Sequence, residues 1–173
     1  EGDADHFKKM FDVNVIGYHT VLNAFGPSVV SGKGSVTIFS SMAAIVPLPM
    51  MGGYAATKGA VLNLTESMDQ EWQRKGVRFT TLIMSVIESG MTTDGSKTGA
   101  GSVIAKGIDK IAMPQDKAID IIVAGIASRR RRVYVPRIAR LTDWIPPAIL
   151  RIYKVPSRRT APKIVRAHRP EIT

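Results

Sequence analysis

The run Ser35-Val36-Thr37-Ile38-Phe39-Ser40-Ser41 is followed, 13 positions after its second serine, by Tyr54-Ala55-Ala56-Thr57-Lys58. The first run is short, β-branched and mostly apolar, which predicts a buried strand over residues 35–39 with the serines at its carboxyl end. From Gly53 the apolar residues recur at helical spacing to about Arg74, and Gly76 supplies a stop. On that helix Tyr54 and Lys58 lie one turn apart on one face, so a phenol and an ammonium meet. A cation beside a phenol favours the phenolate and lowers a pKa that is otherwise about 10, which turns an inert side chain into a proton donor and acceptor near neutral pH.

Working outward, Val77 to Ile83 is a second apolar run and completes a strand, helix, strand unit. In parallel sheets ligands bind at the carboxyl ends of the strands, where Ser40 and Ser41 stand. The loop that leads to Gly53 carries Met42, Met50 and Met51, an apolar and adaptable lining. Upstream, Phe7, Met10, Phe11, Val15, Tyr18, Val21, Leu22 and Phe25 recur at steps of three and four, which predicts one amphipathic helix ending near Gly26-Pro27. Asn14 falls on its apolar face, as a satisfied core amide or as a group reaching into a cleft. Downstream, residues 84–107 are rich in Gly, Ser and Thr with no firm period, the pattern of a binding loop or lid. A third helix is expected over residues 117–128 and a third strand over 131–136. Together these elements predict a parallel α/β protein with one catalytic domain over residues 1–136 and an extension over 137–173.

Composition narrows the classes. The 173 residues are 45% hydrophobic, as in a globular domain, and contain no cysteine, so disulfides and thiolate metal sites are excluded. The three histidines are scattered, and no metal site is expected. No apolar run approaches the roughly 20 residues that span a bilayer, and no charged-then-apolar leader opens the sequence, so a cytoplasmic protein with at most peripheral membrane contact is expected. Residues 1–128 hold 11 Lys and Arg against 12 Asp and Glu, whereas residues 129–173 hold 13 against 2, so the net charge of +10 resides in the tail. Arg129 to Arg132 read as a solvated helix end and strand start. An apolar and basic helix is expected over residues 138–153, broken at Pro146-Pro147, and with the arginines it forms a basic amphipathic stretch, 129–154, suited to a membrane surface. Nucleic acid is a weaker reading, because aromatic residues for stacking bases make up only 6% of the chain.

The combination of Gly34 to Ser41, Tyr54-Ala55-Ala56-Thr57-Lys58 and the upstream Phe11-Asp12-Val13-Asn14-Val15 resembles the signature of the classical short-chain dehydrogenase/reductase family. The resemblance extends to about residue 135. It implies a Rossmann-type doubly wound parallel sheet and an NAD- or NADP-dependent interconversion of a secondary alcohol and a ketone. It also implies the catalytic set Asn14, Ser41, Tyr54 and Lys58. Tyr54 would be the acid/base and Ser41 the donor to the reacting oxygen. Lys58 would tune the tyrosine and bind the nicotinamide ribose, and Asn14 would hold a water that links Lys58 to solvent. Cofactor contacts would come from Asn14, Tyr54, Lys58, Ile87 and Ser89, and substrate contacts from Ser41, Ala43, Met51 and Tyr54. In two places the sequence departs from the family pattern. Met84-Ser85-Val86-Ile87-Glu88-Ser89 replaces the usual Pro-Gly and x-Val-x-Thr run, and the Gly-rich pyrophosphate turn and the Asn-Asn-Ala-Gly segment are absent from these 173 residues. The chain is therefore expected to be a fragment lacking the first βαβ half, with an exposed sheet edge that favours association between copies. The rival expectation is a catalytically silent remnant that acts as a membrane-surface or protein-binding module.

Overall fold

The structure, a computed structural model, describes residues 3–47, 51–88 and 112–144. Its frame is a parallel sheet of three strands in the order β1 (Ser35–Ser41), β2 (Arg78–Met84), β3 (Arg132–Val135). The register pairs Ser35 with Arg78 and Ser41 with Met84, then Thr81 with Arg132 and Met84 with Val135. Alternation along β2 assigns the two faces. Phe79 and Ile83 pack with helices α2 (Gly17–Ser31) and α3 (Gly52–Trp72) and with the turn that follows β3, while Leu82 packs with α4 (Gln115–Ala127) on the other face. Buried on both faces, β2 reads as the continuous apolar run expected of a central parallel strand.

The helix ahead of β1 departs from the expected single amphipathic rod. It opens as α1 (Ala4–Phe11), capped by the Asp3 carboxylate, which accepts the His6 N–H at 2.9 Å. It then widens into a π-helical turn over Asp12–Ile16 before resuming as α2. Nor does it stop at Gly26-Pro27. Pro27 is exposed within the helix, and Gly26 is there for close packing, since a Cβ on it would come within 2.8 Å of Trp72 Cη2 on α3. The actual stop is the turn at Gly32-Lys33-Gly34. Tertiary contact with α3 outweighs the hydrogen bond that proline removes.

The expectation of a buried first strand is also corrected. Among the described residues β1 pairs only with β2, which leaves it an edge, and Phe39 is 54% exposed. It lies on the α4 face of the sheet, where α4 packs on β2 and β3 alone. Helix α3 matches its expected span and ends through a 3-10 turn at Gly76, whose φ of +78° is the left-handed conformation that glycine adopts without strain. Of the expected helix over residues 138–153, the described part is a 3-10 helix, Arg137–Asp143, and residues 145–153 lie outside the described set.

In the arginine block Arg129, Arg130 and Arg131 are exposed, as expected, and Arg132 is half-buried, yet three of the four are engaged by other groups. Arg129 donates to the carbonyls of Lys33 and Gly34 at 3.4 and 3.2 Å, and Arg131 reaches Asp69 at 2.8 Å and Gln73 at 2.8 Å. Arg132 bridges Glu66, with Nε to Oε1 at 2.6 Å, and Asp143 at 2.7 Å. The Tyr134 hydroxyl donates to Asp143. Burial, and then that bond to a carboxylate, push the Tyr134 phenol up to about 12 from 10.0. Below pH 10 its contribution to stability is complete. Between pH 10 and 12 the unfolded chain loses this proton first, and the contribution drains away. The wild type should therefore lose about 1–2 kcal/mol more than Tyr134→Phe across that window, once solvent screening is allowed for, read as urea midpoints at its two ends. Parallel pH profiles for the two proteins would contradict the assignment.

Candidate active site

The site forms at the carboxyl end of β1, where the strand, the turn after it and the first two turns of α3 converge. Ser40 and Ser41 divide their work. Ser40 is buried and donates its hydroxyl to the Lys58 carbonyl at 3.2 Å, so it braces the helix. Ser41 is half-buried and caps the 3-10 turn Met42–Ala44, its oxygen accepting the Ala43 N–H at 3.1 Å. That bond uses a lone pair of Ser41 and leaves its proton available to donate. Ala43 is buried beneath this turn, and half-buried Met51 opens α3, its carbonyl accepting the Ala55 N–H at 2.8 Å.

Tyr54 and Lys58 stand one turn apart on α3, with the Lys58 nitrogen 5.7 Å from the centroid of the Tyr54 ring. The Lys58 ammonium is held by the Phe39 carbonyl at 3.0 Å, which ties the helix to the exposed edge strand. Burial pushes the Lys58 pKa down, so this amine gives up its proton at lower pH than a solvated lysine. The Tyr54 hydroxyl has no hydrogen-bond partner among the described residues.

Asn14 lies within the π-turn, half-buried, and its amide donates to the Thr57 hydroxyl at 3.1 Å. Thr57 in turn donates to the Tyr54 carbonyl at 2.8 Å. The extra residue of a π-turn shifts the helical phase, a device common at functional sites. Here the turn brings Asn14 to the Tyr54 helix. Thr57, 0% exposed, was not singled out from the sequence. Its available signal is a small hydroxyl residue beside Lys58 on a helix otherwise lined there with Ala and Gly.

Ile87 forms an isolated parallel bridge with Met113. The bonds run from Met113 N–H to Val86 O and from Glu88 N–H to Met113 O, both 3.0 Å, so the bridge uses none of the Ile87 backbone groups. Among the described residues they have no other partner. Ser89 lies outside the described residues. The structure thus gathers Asn14, Ser41, Ala43, Met51, Tyr54 and Lys58 around one strand end, with Ile87 in the segment that follows the neighbouring strand. Beside Asn14, a groove of about 300 Å³ runs between the π-turn, α2 and the outer edge of β1.

The parallel sheet with helices on both faces is a fold of Rossmann type. The family described as short chain dehydrogenase matches residues 1–100, and the chain belongs to that family. It is 30% identical over 156 residues to the hydroxysteroid 11-beta-dehydrogenase 1-like protein of Xenopus tropicalis, which covers 84% of this chain and 50% of the relative. It is 29% identical over 130 residues to 2-(S)-hydroxypropyl-CoM dehydrogenase 3 of Xanthobacter autotrophicus, covering 70% of this chain and 51% of the relative. A short chain dehydrogenase from Burkholderia cenocepacia, solved in complex with NADP, superposes with a TM-score of 0.68 at 22% identity over 85% of this chain and 58% of its own, a likeness of fold. The chain spans about half the length of the curated relatives it matches. No helix among the described residues is long and apolar enough to cross a membrane.

Proposed function

We propose that the chain carries the proton-transfer site of an NAD(P)-dependent oxidoreductase that interconverts a secondary alcohol and a ketone, with a lipophilic substrate suited to the methionine-rich loop. The observation that carries this reading is the placement of Tyr54 and Lys58 one turn apart on α3, with the Lys58 amine bonded to the Phe39 carbonyl near the carboxyl end of β1, where Ser41 stands. Tyr54 exchanges a proton with the substrate oxygen, and Ser41 donates to the same oxygen, where charge develops. Lys58 keeps positive charge beside the phenol and, released from the Phe39 carbonyl, offers its protons to a ribose hydroxyl. Asn14, held by Thr57, orders the polar path behind Lys58. The nicotinamide supplies or accepts the hydride.

The residues present fit the nicotinamide end of such a cofactor, through the Lys58 amine and the Ile87 backbone, which is unpaired among the described residues. The 173 residues contain no glycine-rich turn for the pyrophosphate. The chain by itself should bind NADPH more weakly than micromolar, and isothermal titration is the check; a micromolar constant would mean that another segment supplies the phosphate contacts. The functional reading is tested by following nicotinamide absorbance with secondary alcohols and ketones, using the chain alone and joined to whatever its gene encodes in frame upstream. Turnover in either form supports it. Silence in both favours a catalytically silent binding module.

A further inference from the structure

The 3-10 helix that follows β3 has three residues per turn, so side chains three apart stack in line. Over Arg137 to Trp144 this sorts the chain into three stripes. Ala139 and Thr142 face inward, Ala139 against the cluster of Leu62, Ile83 and Tyr134, with the Thr142 hydroxyl donating to the Ala139 carbonyl at 2.7 Å. Arg137, Arg140 and Asp143 form the second stripe. Ile138, Leu141 and Trp144 form the third, and they are 70%, 51% and 76% exposed. Three large apolar side chains in one row, facing water beside two arginines, are the contact pattern of an interfacial membrane segment.

The support under this row is fixed. Asp143 is held by Arg132 and Tyr134, and Arg132 is held in turn by Glu66. The stripe is therefore presented outward on a braced turn. The local charge has one sign left over. Glu66, Asp69 and Asp143 are already engaged by Arg78, Arg131 and Arg132, while Arg130, Arg137 and Arg140 have no carboxylate partner among the described residues. Those three arginines line a cleft of about 1010 Å³ at the β3 edge, next to the apolar row, whose side chains are not part of its lining. We propose that Ile138, Leu141 and Trp144 insert into an anionic lipid surface, with Arg137 and Arg140 on the headgroups, so that the protein docks on membranes by its β3 edge. The inference does not rest on the oxidoreductase reading.

Flotation of the full 173-residue chain with phosphatidylcholine vesicles, with and without phosphatidylserine, tests it. The chain should float with the phosphatidylserine vesicles and far less with phosphatidylcholine alone. Ile138→Ser, Leu141→Ser and Trp144→Ser combined should weaken binding at least about tenfold, because the apolar area that anchors it is gone. Arg137→Gln with Arg140→Gln should cost about tenfold on the anionic vesicles only. In addition, tryptophan emission should shift to the blue on vesicles in the wild type and not in Trp144→Phe, a substitution that leaves the braced side untouched. A wild type that stays with the soluble fraction, serine variants that float equally well, an emission shift that survives Trp144→Phe, or binding to duplex DNA with no binding to vesicles would each overturn the proposal.

Discussion

Tyr54→Phe should lower turnover by about 10²–10⁴-fold, the usual worth of a positioned acid/base, while leaving cofactor affinity and stability close to wild type. The separation of these effects follows from how the residue is held. Its backbone carbonyl takes the Thr57 hydroxyl at 2.8 Å, and its ring is approached by the Lys58 amine, so both structural contacts survive in phenylalanine. Only the hydroxyl is removed, and no described residue depends on it. The measurement is steady-state nicotinamide turnover in whichever form of the protein is active, beside a thermal melt. A variant that keeps more than about a tenth of the activity would assign the proton to another group.

Asp69→Ala should be strongly destabilising, by about 2–4 kcal/mol, because it leaves the buried Phe79 N–H without its charged acceptor. Asp69 is 4% exposed on α3. It accepts the Phe79 N–H at 3.0 Å, pairs with Arg131 at 2.8 Å and meets Arg78 at 3.4 Å. Alanine would strand a buried backbone donor and take the carboxylate from Arg78, whereas Arg131, 59% exposed, keeps water and Gln73. Asp69→Asn keeps an oxygen for Phe79 and gives up the charge, so its loss should be smaller, about 1–3 kcal/mol. Urea midpoints with an unchanged slope would measure both. An alanine variant within about 1 kcal/mol of wild type would show that water reaches the Phe79 amide.

How much of this could be read beforehand depends on whether the cause was local. The Tyr54 helix and the strands at either side were legible because period, β-branching and the Gly76 stop all act within a few residues. The parallel α/β class followed from their order. The π-turn at Asp12–Ile16 left no local trace, since its reason is a partner 43 residues on, the Thr57 hydroxyl that Asn14 reaches. Pro27 misled for the same reason. Its cost is local, whereas the gain is the fit of Gly26 against Trp72. The spacing to Tyr54 singled out Ser41, but that Ser40 braces the Lys58 carbonyl has no signal in the sequence. The hold of the Phe39 carbonyl on Lys58 was invisible, for a backbone oxygen has no letter of its own. The engagement of Arg129, Arg131 and Arg132 was hidden too, because a run of like charges says nothing about carboxylates on another helix.

The strand order β1, β2, β3 is also the order in which the ribosome makes these segments. Among the described residues, each strand after the first emerges to find its neighbour already made. The described sheet can therefore grow outward from β1 in a single direction, with none of its three strands waiting for a partner among them yet to be synthesised. The outer edge of β1 is meanwhile the side on which anything translated earlier would be in place to pair, so vectorial synthesis and sheet assembly run the same way.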